Sequence, residues 1–266
     1  AECKAVSDGS FLAVPAVEFD NTTIATDKTA SSPTPLSSAG GTSGIAFGIS
    51  TWPPADRSFV SLLLFSGCHV GYGAAHPNTV PVNLTGFFNM YELYGFDSGM
   101  TKFVDRRNEF DMLQKYDWFL IPLAMYRITD PDKLENFDGY IMHTRAKSLD
   151  DIVLSFQSNE RSITLSNGPM IDEFWMSGKG CYSDWWEGPS YIWPDQNDVA
   201  TIHMKVSSKR PLKEIVLIQD GEPIRTYKPN GKTFTATVDK PSDSSNHSIW
   251  MTVKDSDGRE AISTVL

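Results

Sequence analysis

The chain has 266 residues, which is enough for one large domain or two of moderate size, each with its own core. Apolar residues make up 40%, charged residues 21% and aromatic residues 12% of the composition, a balance that excludes an intrinsically disordered chain. The formal net charge is -10 and no cluster of Lys and Arg offsets it, so we expect no nucleic-acid partner. No apolar run reaches the roughly 18–20 residues of a membrane-spanning helix, so we expect no membrane span.

The first 165 residues have the pattern of alternating strands and helices. Short apolar runs typical of buried strands occur at residues 11–19, 45–50, 70–75 and 87–93. Residues 100–120 carry apolar side chains at the spacing of an amphipathic helix. Strands that alternate with helices over short connections predict an α/β architecture for this part of the chain.

From residue 197 onward apolar and polar residues alternate between recurring turn signals, as in a small antiparallel β-sandwich of the immunoglobulin-like kind. Residues 255–260 (DSDGRE) resemble part of a calcium loop but lack its remaining oxygen ligands. Because they lie between two strand-like runs, they are interpreted as a hairpin turn. Residues 166–196 contain four Trp and are interpreted as an aromatic-rich linker packed on those side chains. The predicted domains are therefore residues 1–165, 166–196 and 197–266.

Residues 67–78 (GCHVGYGAAHPN) form a small-residue, strand-like run that ends on Ala-His-Pro. Pro77 does not continue a regular ladder, so we expect the imidazole of His76 just past the end of a strand. Open α/β sheets place their chemistry at that end, and histidine is the commonest metal ligand and a proton carrier near neutral pH. His76 is thus a candidate ligand, and the alternative is a histidine in an ordinary loop.

The order AVPAVEF, GYGAAHPN, MYELYG and RITDPD resembles the later half of a PHP domain, from the polymerase and histidinol phosphatase family of metallohydrolases. The segment KSLDDIVLSFQSNERSITLSNGPMID is similar to the part where the CehA/McbA-like branch leaves the barrel. The segment MTVKDSDGREAIS resembles the C-terminal β domain of that branch. The resemblance implies an α/β fold with part of a distorted PHP-type β/α barrel, followed by the small antiparallel β-sandwich.

The family binds a cluster of divalent metals (zinc, manganese or iron) and hydrolyses phosphoesters or, in this branch, amides and carbamates. Two metals about 3.5–4 Å apart activate a bridging water and neutralise the developing oxyanion. Carried over by motif, the resemblance implies that Glu18 bridges metals, that His76 is the histidine of the Ala-His-Pro motif and that Asp130 is a metal-bound aspartate. The implied function is metal-dependent hydrolysis.

The chain departs from the family pattern at several ligands. The family's first His-x-His and its Gly-His are not found, and its last imidazole is absent after Asp130 unless His143 replaces it. In one hypothesis a missing N-terminal barrel segment or a second chain completes the sheet and the metal site, because half a barrel exposes unpaired strand edges. In the other, the scaffold is catalytically inactive and acts as an extracellular structural, assembly or binding protein, with self-assembly among its expected properties.

A third hypothesis belongs to another class, a carbohydrate-binding or adhesion module in which the Trp residues between 175 and 193 stack on sugar faces. The alternative is that these side chains bury the junction between two domains. Members of the branch with β domains are often exported, and N-x-S/T sequons occur at Asn21, Asn83 and Asn246. We therefore expect an extracellular or periplasmic protein.

Overall fold

The structure, a computed structural model, describes residues 16–20, 43–47, 72–75, 90–96, 103–114, 121–124, 126, 137–144, 148, 163–178, 199–241, 245 and 247–266. The chain divides into two compact units. The first unit comprises residues 1–105 and 146–157, and the second comprises residues 106–145 and 158–266.

Strands account for nearly all of the described secondary structure. They are β1 (Ala16–Asp20), β2 (Ser43–Phe47), β3 (Tyr72–Ala75), β4 (Met90–Phe96), β5 (Phe103–Asp105), β6 (Ile121–Ala124), β7 (Ile141–His143), β8 (Thr164–Ser166), β9 (Met170–Ser177), β10 (Val199–Ser207), β11 (Leu212–Gln219), β12 (Glu222–Tyr227), β13 (Thr233–Pro241), β14 (Ile249–Asp255) and β15 (Glu260–Ser263). The described part of the chain contains one helix, α1 (Arg107–Gln114).

The described strands of the first unit follow one another in the order β1-β2-β3-β4-β5. Neighbours pair antiparallel, except for β3 and β4, which run parallel with Gly73 opposite Met90. The predicted α/β fold with a PHP-type β/α barrel is therefore wrong. Such a barrel needs parallel neighbours joined by helices, whereas the described residues are almost all β-sheet with one helix of eight residues. Short apolar runs look alike in parallel and antiparallel sheets, so the pattern could not distinguish them.

The helix predicted over residues 100–120 is replaced at residues 103–105 by a strand in the structure. Its first part is strand β5, which pairs with β4, and α1 begins only at Arg107. The N–H of Phe110 donates to the carbonyl of Arg106 at 3.0 Å, and the Phe110 side chain is fully buried. Among the described residues, no helix is long enough and apolar enough to cross a membrane.

The second unit contains two antiparallel sheets packed face to face. One has the strand order β13-β10-β9 and the other β12-β11-β14-β15-β8-β7, so the antiparallel strands expected after residue 197 are present as β10 to β15. Apolar residues recur at every second position, which places them on one face of each strand. These inward-facing residues form the core between the sheets: Ile171, Phe174, Met176, Ala200, Ile202, Met204, Val206, Leu212, Ile215, Leu217, Ile249, Met251, Val253, Ala261 and Leu266.

Strands from before residue 197 complete this sandwich. β7 and β8 extend the six-stranded sheet, with Leu165 opposite Ile262, and β9 forms the edge of the three-stranded sheet. Residues 170–177, inside the segment interpreted as a linker, are therefore a strand with its own share of the core. The predicted boundaries at 165 and 197 remain sequence predictions, and the second unit spans both positions.

The hairpin turn predicted within residues 255–260 is confirmed, with β14 ending at Asp255 and β15 beginning at Glu260. Asp255 Oδ1 accepts hydrogen bonds from the N–H groups of Asp257 at 2.9 Å and Arg259 at 3.0 Å. Gly258 has a φ of 81°, the left-handed region that favours glycine. The carboxylate of Asp255 thus stabilises the turn through hydrogen bonds to its backbone.

The six-stranded sheet also buries residues on the side away from the core. Trp250 alternates with the core residues Ile249 and Met251, so its side chain lies on the opposite face, yet it is fully buried. On this sheet β6 contacts β7, β8 and β15. The second unit therefore has apolar packing beyond the layer between its two sheets.

Candidate functional site

The predicted metal ligands fall largely outside the described residues. Glu18 lies on β1 of the first unit, opposite Ile45, whereas His76 and Asp130 are outside the described ranges. Within those ranges no group of three or more His, Cys, Asp or Glu side chains is placed to hold a metal ion. A metal site at Glu18, His76 and Asp130 remains a prediction.

His143, the residue considered as a replacement for the family's last imidazole, lies on β7 of the second unit, opposite Thr164. Burial lowers the pKa of His143, because desolvation disfavours the charged imidazolium. The neutral imidazole is the form that binds metals. Among the residues that the structure describes, however, His143 belongs to no three-ligand group.

The three-stranded sheet has a polar side that faces away from the core and carries one aromatic pair. Phe174 and Met176 of β9 and Ile202 and Met204 of β10 belong to the core, so the residues between them lie on the other side of the sheet. Trp175 is one of these residues, and it is partly buried and still packs against the core residues. We name this side the outer face. Its members are Glu173, Trp175 and Ser177 of β9, Thr201, His203 and Lys205 of β10, and Thr235, Thr237 and Asp239 of β13.

Trp175 and His203 are direct cross-strand partners near the middle of the outer face. Their ring centroids are 3.9 Å apart and the ring planes differ by 9°, which makes a parallel stack. The hydroxyl of Ser177 lies 2.7 Å from Nε2 of His203, within hydrogen-bond distance. The imidazole is held by an indole and a hydroxyl together. Both rings are only partly buried, so solvent reaches the pair.

A polar pair flanks the stack on each side along the strands. Thr201 Oγ1 donates to Asp239 Oδ1 at 2.8 Å, and Lys205 Nζ lies 3.4 Å from Glu173 Oε1. Both pairs are exposed, and an exposed ion pair such as that of Lys205 with Glu173 contributes little to stability. The outer face therefore combines an aromatic stack with hydrogen-bond donors and acceptors on both sides of it.

A second polar cluster closes the turn between β11 and β12. Asp220 has a φ of 52° and Gly221 a φ of 84°, as in a two-residue Asp-Gly hairpin. The Asp220 carboxylate accepts from the N–H of Ser248 at 2.9 Å and from Gln219 Nε2 at 3.3 Å, and lies 2.5 Å from His247 Nδ1. Burial by itself raises the pKa of Asp220, but these hydrogen bonds outweigh it and leave the pKa below its usual value. The cluster stabilises the hairpin.

A third cluster surrounds Glu260 at the beginning of β15, where the side chain is 10% exposed. Glu260 Oε1 accepts from Arg107 Nη2 at 3.0 Å and from the Tyr140 hydroxyl at 2.7 Å. The backbone N–H of Glu260 donates to Asn167 Oδ1 at 2.7 Å. A buried carboxylate needs such partners, and here they join α1 and the residues before β7 to the sandwich. We assign this cluster a structural role.

No family model, no curated protein and no solved structure matches the chain. The resemblance to PHP domains therefore stays a prediction from short motifs.

His203 is the residue of the outer face that sequence reasoning missed. The alternation of apolar and polar residues predicts that His203 lies on a strand, but it does not predict which side chains contact the imidazole, so no role follows. Its position against Trp175 depends on the register between β9 and β10, which includes an irregularity at Lys205 and Val206. The sequence shows an aromatic ring on each of two strands, but only the register shows that the two rings are cross-strand neighbours.

Proposed function

We propose that this chain is a carbohydrate-binding protein whose β-sandwich binds neutral sugars at the outer face. The observation that carries the proposal is the solvent-accessible stack of Trp175 on His203, with exposed polar pairs beside it. This develops the hypothesis of a binding module that the Trp residues suggest in the sequence.

The chemistry of sugars supports this choice of ligand. A pyranose ring has an apolar face of C–H groups and a rim of hydroxyls, and amphipathic aromatic side chains suit contacts that are apolar on one side and wet on the other. His203 covers one face of the indole, and the proposal assigns the other face of Trp175 to the C–H groups. Asp239 and Glu173 offer acceptors to the hydroxyls and Lys205 offers a donor, and a few such polar groups are what orients a ligand.

The charge of the chain narrows the sugar class. At a net charge of -10, polysaccharides that carry sulfate or carboxylate groups are repelled, whereas neutral ones are not.

Affinity electrophoresis through gels that contain a neutral mannan, xylan or β-glucan tests the proposal, with heparin as the sulfated comparison. We expect at least one neutral polysaccharide to retard the protein and heparin to have no effect. Trp175→Ala should lower the affinity on the order of tenfold, which corresponds to about 1.4 kcal/mol. Trp175→Tyr should keep most of the binding, since it retains an amphipathic ring.

The control is Ile224→Ala, which removes an apolar side chain that is 42% exposed on β12 of the other sheet. This variant should bind like the unmodified protein. If Trp175 only stabilises the pairing of β9 with β10, the binding of Trp175→Ala will equal that of Ile224→Ala, and the proposal is wrong. Failure of every neutral polysaccharide to retard the protein also contradicts it.

Metal-dependent hydrolysis of phosphoester, amide or carbamate bonds remains a second hypothesis, which comes from the resemblance of the sequence motifs to PHP domains. It requires zinc, manganese or iron at Glu18, His76 and Asp130, with further ligands from a preceding segment or a second chain. None of these three residues belongs to the outer face. Sugar binding and hydrolysis can therefore be tested separately.

A further inference from the structure

We propose that two copies of this chain form a symmetric dimer through strand β13, so that their three-stranded sheets become one continuous six-stranded sheet. The proposal does not depend on sugar binding. It rests on the composition of the two edge strands, the direction of the backbone groups of β13 and the symmetry of its sequence.

The two sheets of the sandwich end on edge strands of different character. Edge strands in natural proteins usually carry charged residues, Pro or bulges, which prevent pairing with another chain. β12 carries all three: Glu222, Pro223 and Arg225 lie within its six residues, and its register with β11 is irregular at Leu217 and Ile218. This edge is protected.

β13 lacks these devices over most of its length. Residues 233–239 (TFTATVD) contain no Pro and no positively charged residue, and they pair with β10 without an irregularity. Lys240 and Pro241 come only at the end of the strand. Among the described strands, β13 pairs with β10 alone. A strand of nine residues that is left unprotected at an edge is expected to have a partner.

The backbone of β13 presents its hydrogen-bonding groups at this edge. The N–H of Ser208 donates to the carbonyl of Lys232 at 2.8 Å, so the backbone of Lys232 faces β10. In an antiparallel ladder the residues alternate between those that face the partner and those that face away. Thr233, Thr235, Thr237 and Asp239 therefore direct their N–H and C=O groups away from β10.

The sequence of β13 is complementary to itself when a twofold axis passes through Ala236. Antiparallel pairing then places Thr235 opposite Thr237 and Thr233 opposite Asp239 of the second copy, and these are the residues whose backbone groups no described strand pairs with. It also places Phe234 opposite Val238 on the core side. A shift by one residue would set apolar side chains against polar ones, so registers shifted by an odd number of residues are excluded.

The core side of β13 gives this pairing an apolar contribution. Phe234, Ala236 and Val238 are only partly buried and pack against the core of their own sandwich. A second copy of β13 would cover the same three side chains in both protomers, as an isologous interface requires. Residues 233–239 of the two copies oppose no like charges, whereas Lys240 comes opposite Lys232 of the second copy at each end of the pairing. These points favour a second copy over an unrelated extended peptide.

Analytical ultracentrifugation of the full chain over a concentration series tests the dimer. Thr237→Pro removes an N–H that points away from β10, so it blocks pairing at the edge but keeps the ladder within the sheet. Thr237→Ala keeps that N–H and is the matched control. We expect dimers for the unmodified chain and for Thr237→Ala, and monomers for Thr237→Pro with an unchanged circular dichroism spectrum.

Disulfide trapping tests the register and does not depend on the proline variant folding. In a chain whose Cys3, Cys68 and Cys181 are replaced by Ser, Ala236→Cys places two thiols on the twofold axis. Opposed residues of a pair without backbone hydrogen bonds have Cα atoms about 4.5 Å apart, within the range of a disulfide. Oxidation should give a covalent dimer for Ala236→Cys and none for Val238→Cys, whose copies lie several residues apart.

A chain that is monomeric at every concentration overturns the proposal, as does a dimer that Thr237→Pro leaves intact. Crosslinking through Val238→Cys but not through Ala236→Cys also overturns it, because the axis would then lie elsewhere. A monomer that binds an added synthetic peptide of residues 233–239, with loss of binding in Thr237→Pro, would identify the edge as a peptide site and reject the dimer.

Discussion

Arg107, at the beginning of α1, donates to Glu260 of β15 at 3.0 Å, although 153 positions separate the two residues. Tyr140 donates to the same carboxylate oxygen at 2.7 Å. One carboxylate therefore links two stretches of chain that precede the sandwich in sequence to a strand near its end.

Replacement of Glu260 should destabilise the second unit. Glu260→Gln removes the charge that pairs with Arg107 and should cost about 1–3 kcal/mol, whereas Glu260→Ala also removes the acceptors and should cost about 3–5 kcal/mol. The control is Glu173→Gln, because Glu173 pairs with Lys205 in an exposed ion pair and should change stability by less than about 1 kcal/mol. Urea unfolding followed by circular dichroism measures all three, and equal costs for Glu260 and Glu173 would contradict the structural role.

Stability in acid should depend on Asp220. Its pKa in the folded chain lies below the unfolded value of about 3.9, because hydrogen bonds from Ser248, His247 and Gln219 outweigh the effect of burial. The contribution is therefore complete above pH 4, roughly, and is lost as the pH falls through the folded pKa. Asp220→Asn keeps a residue suited to positive φ and should reduce the loss of stability in this acid window. Urea midpoints should be lower for Asp220→Asn than for the unmodified chain at neutral pH, and the two should converge as the pH falls into the acid range.

His143 should act in a different window. Burial lowers its pKa in the folded chain below the unfolded value of about 6.5, so the unfolded chain binds the proton more tightly. Stability is then full above about pH 6.5 and decreases as the pH falls below that value towards the folded pKa. His143→Gln removes the titrating group and should flatten stability over this range. A chain whose stability between neutral and mildly acidic pH is the same with and without His143 would contradict the effect of burial.

Two glycines with positive φ should respond differently to alanine. At Gly178, φ is 148° and an added Cβ would lie 2.8 Å from the carbonyl oxygen of Val199. At Gly258, φ is 81° and no heavy atom lies within 4 Å of the added Cβ. Gly258→Ala should cost about 1–2 kcal/mol from backbone strain alone. Gly178→Ala should cost more, because the Val199 backbone must also move, and thermal unfolding of the two variants measures the difference.

Elemental analysis tests the metal hypothesis of the sequence. A PHP-like hydrolase should contain about two equivalents or more of zinc, manganese or iron, and Glu18→Gln should lower that content. Glu173→Gln, on the outer face, should leave it unchanged. A metal-free protein that still binds a neutral polysaccharide would reject the hydrolase and retain the proposed function.

The sequence predicts the sandwich better than the rest of the fold. Strict alternation in segments such as Thr233–Pro241 reports directly which side faces a core, because the side-chain period of a strand is two. The prediction of a helix is wrong at residues 103–105. Apolar residues three or four positions apart are typical of a helix, but here they also occur where strand β5 is followed by the short α1. The direction of pairing fails as well, because the antiparallel neighbours of the first unit have no local signature that distinguishes them from parallel ones.

The candidate site depends on information that the sequence does not contain locally. The sequence analysis assigns Trp175 to an aromatic-rich linker at residues 166–196, together with three other Trp residues, and not to a strand. His203 comes to lie beside it only through the pairing of β9 with β10. Cross-strand neighbours are set by register, so a site on a sheet face follows from topology more than from any motif.

The pairing of β15 with β8 also has a consequence for synthesis on the ribosome. Ser166 of β8 pairs with Ala261 of β15, roughly a hundred residues later in the chain. At translation rates of about 5–20 residues per second, β8 waits roughly 5–20 seconds for its neighbour. During that interval the edge of β8 that later pairs with β15 has unpaired backbone groups, and a strand of another chain can pair with them. The nascent protein is thus exposed to aggregation, and to binding by chaperones, between the emergence of these two strands.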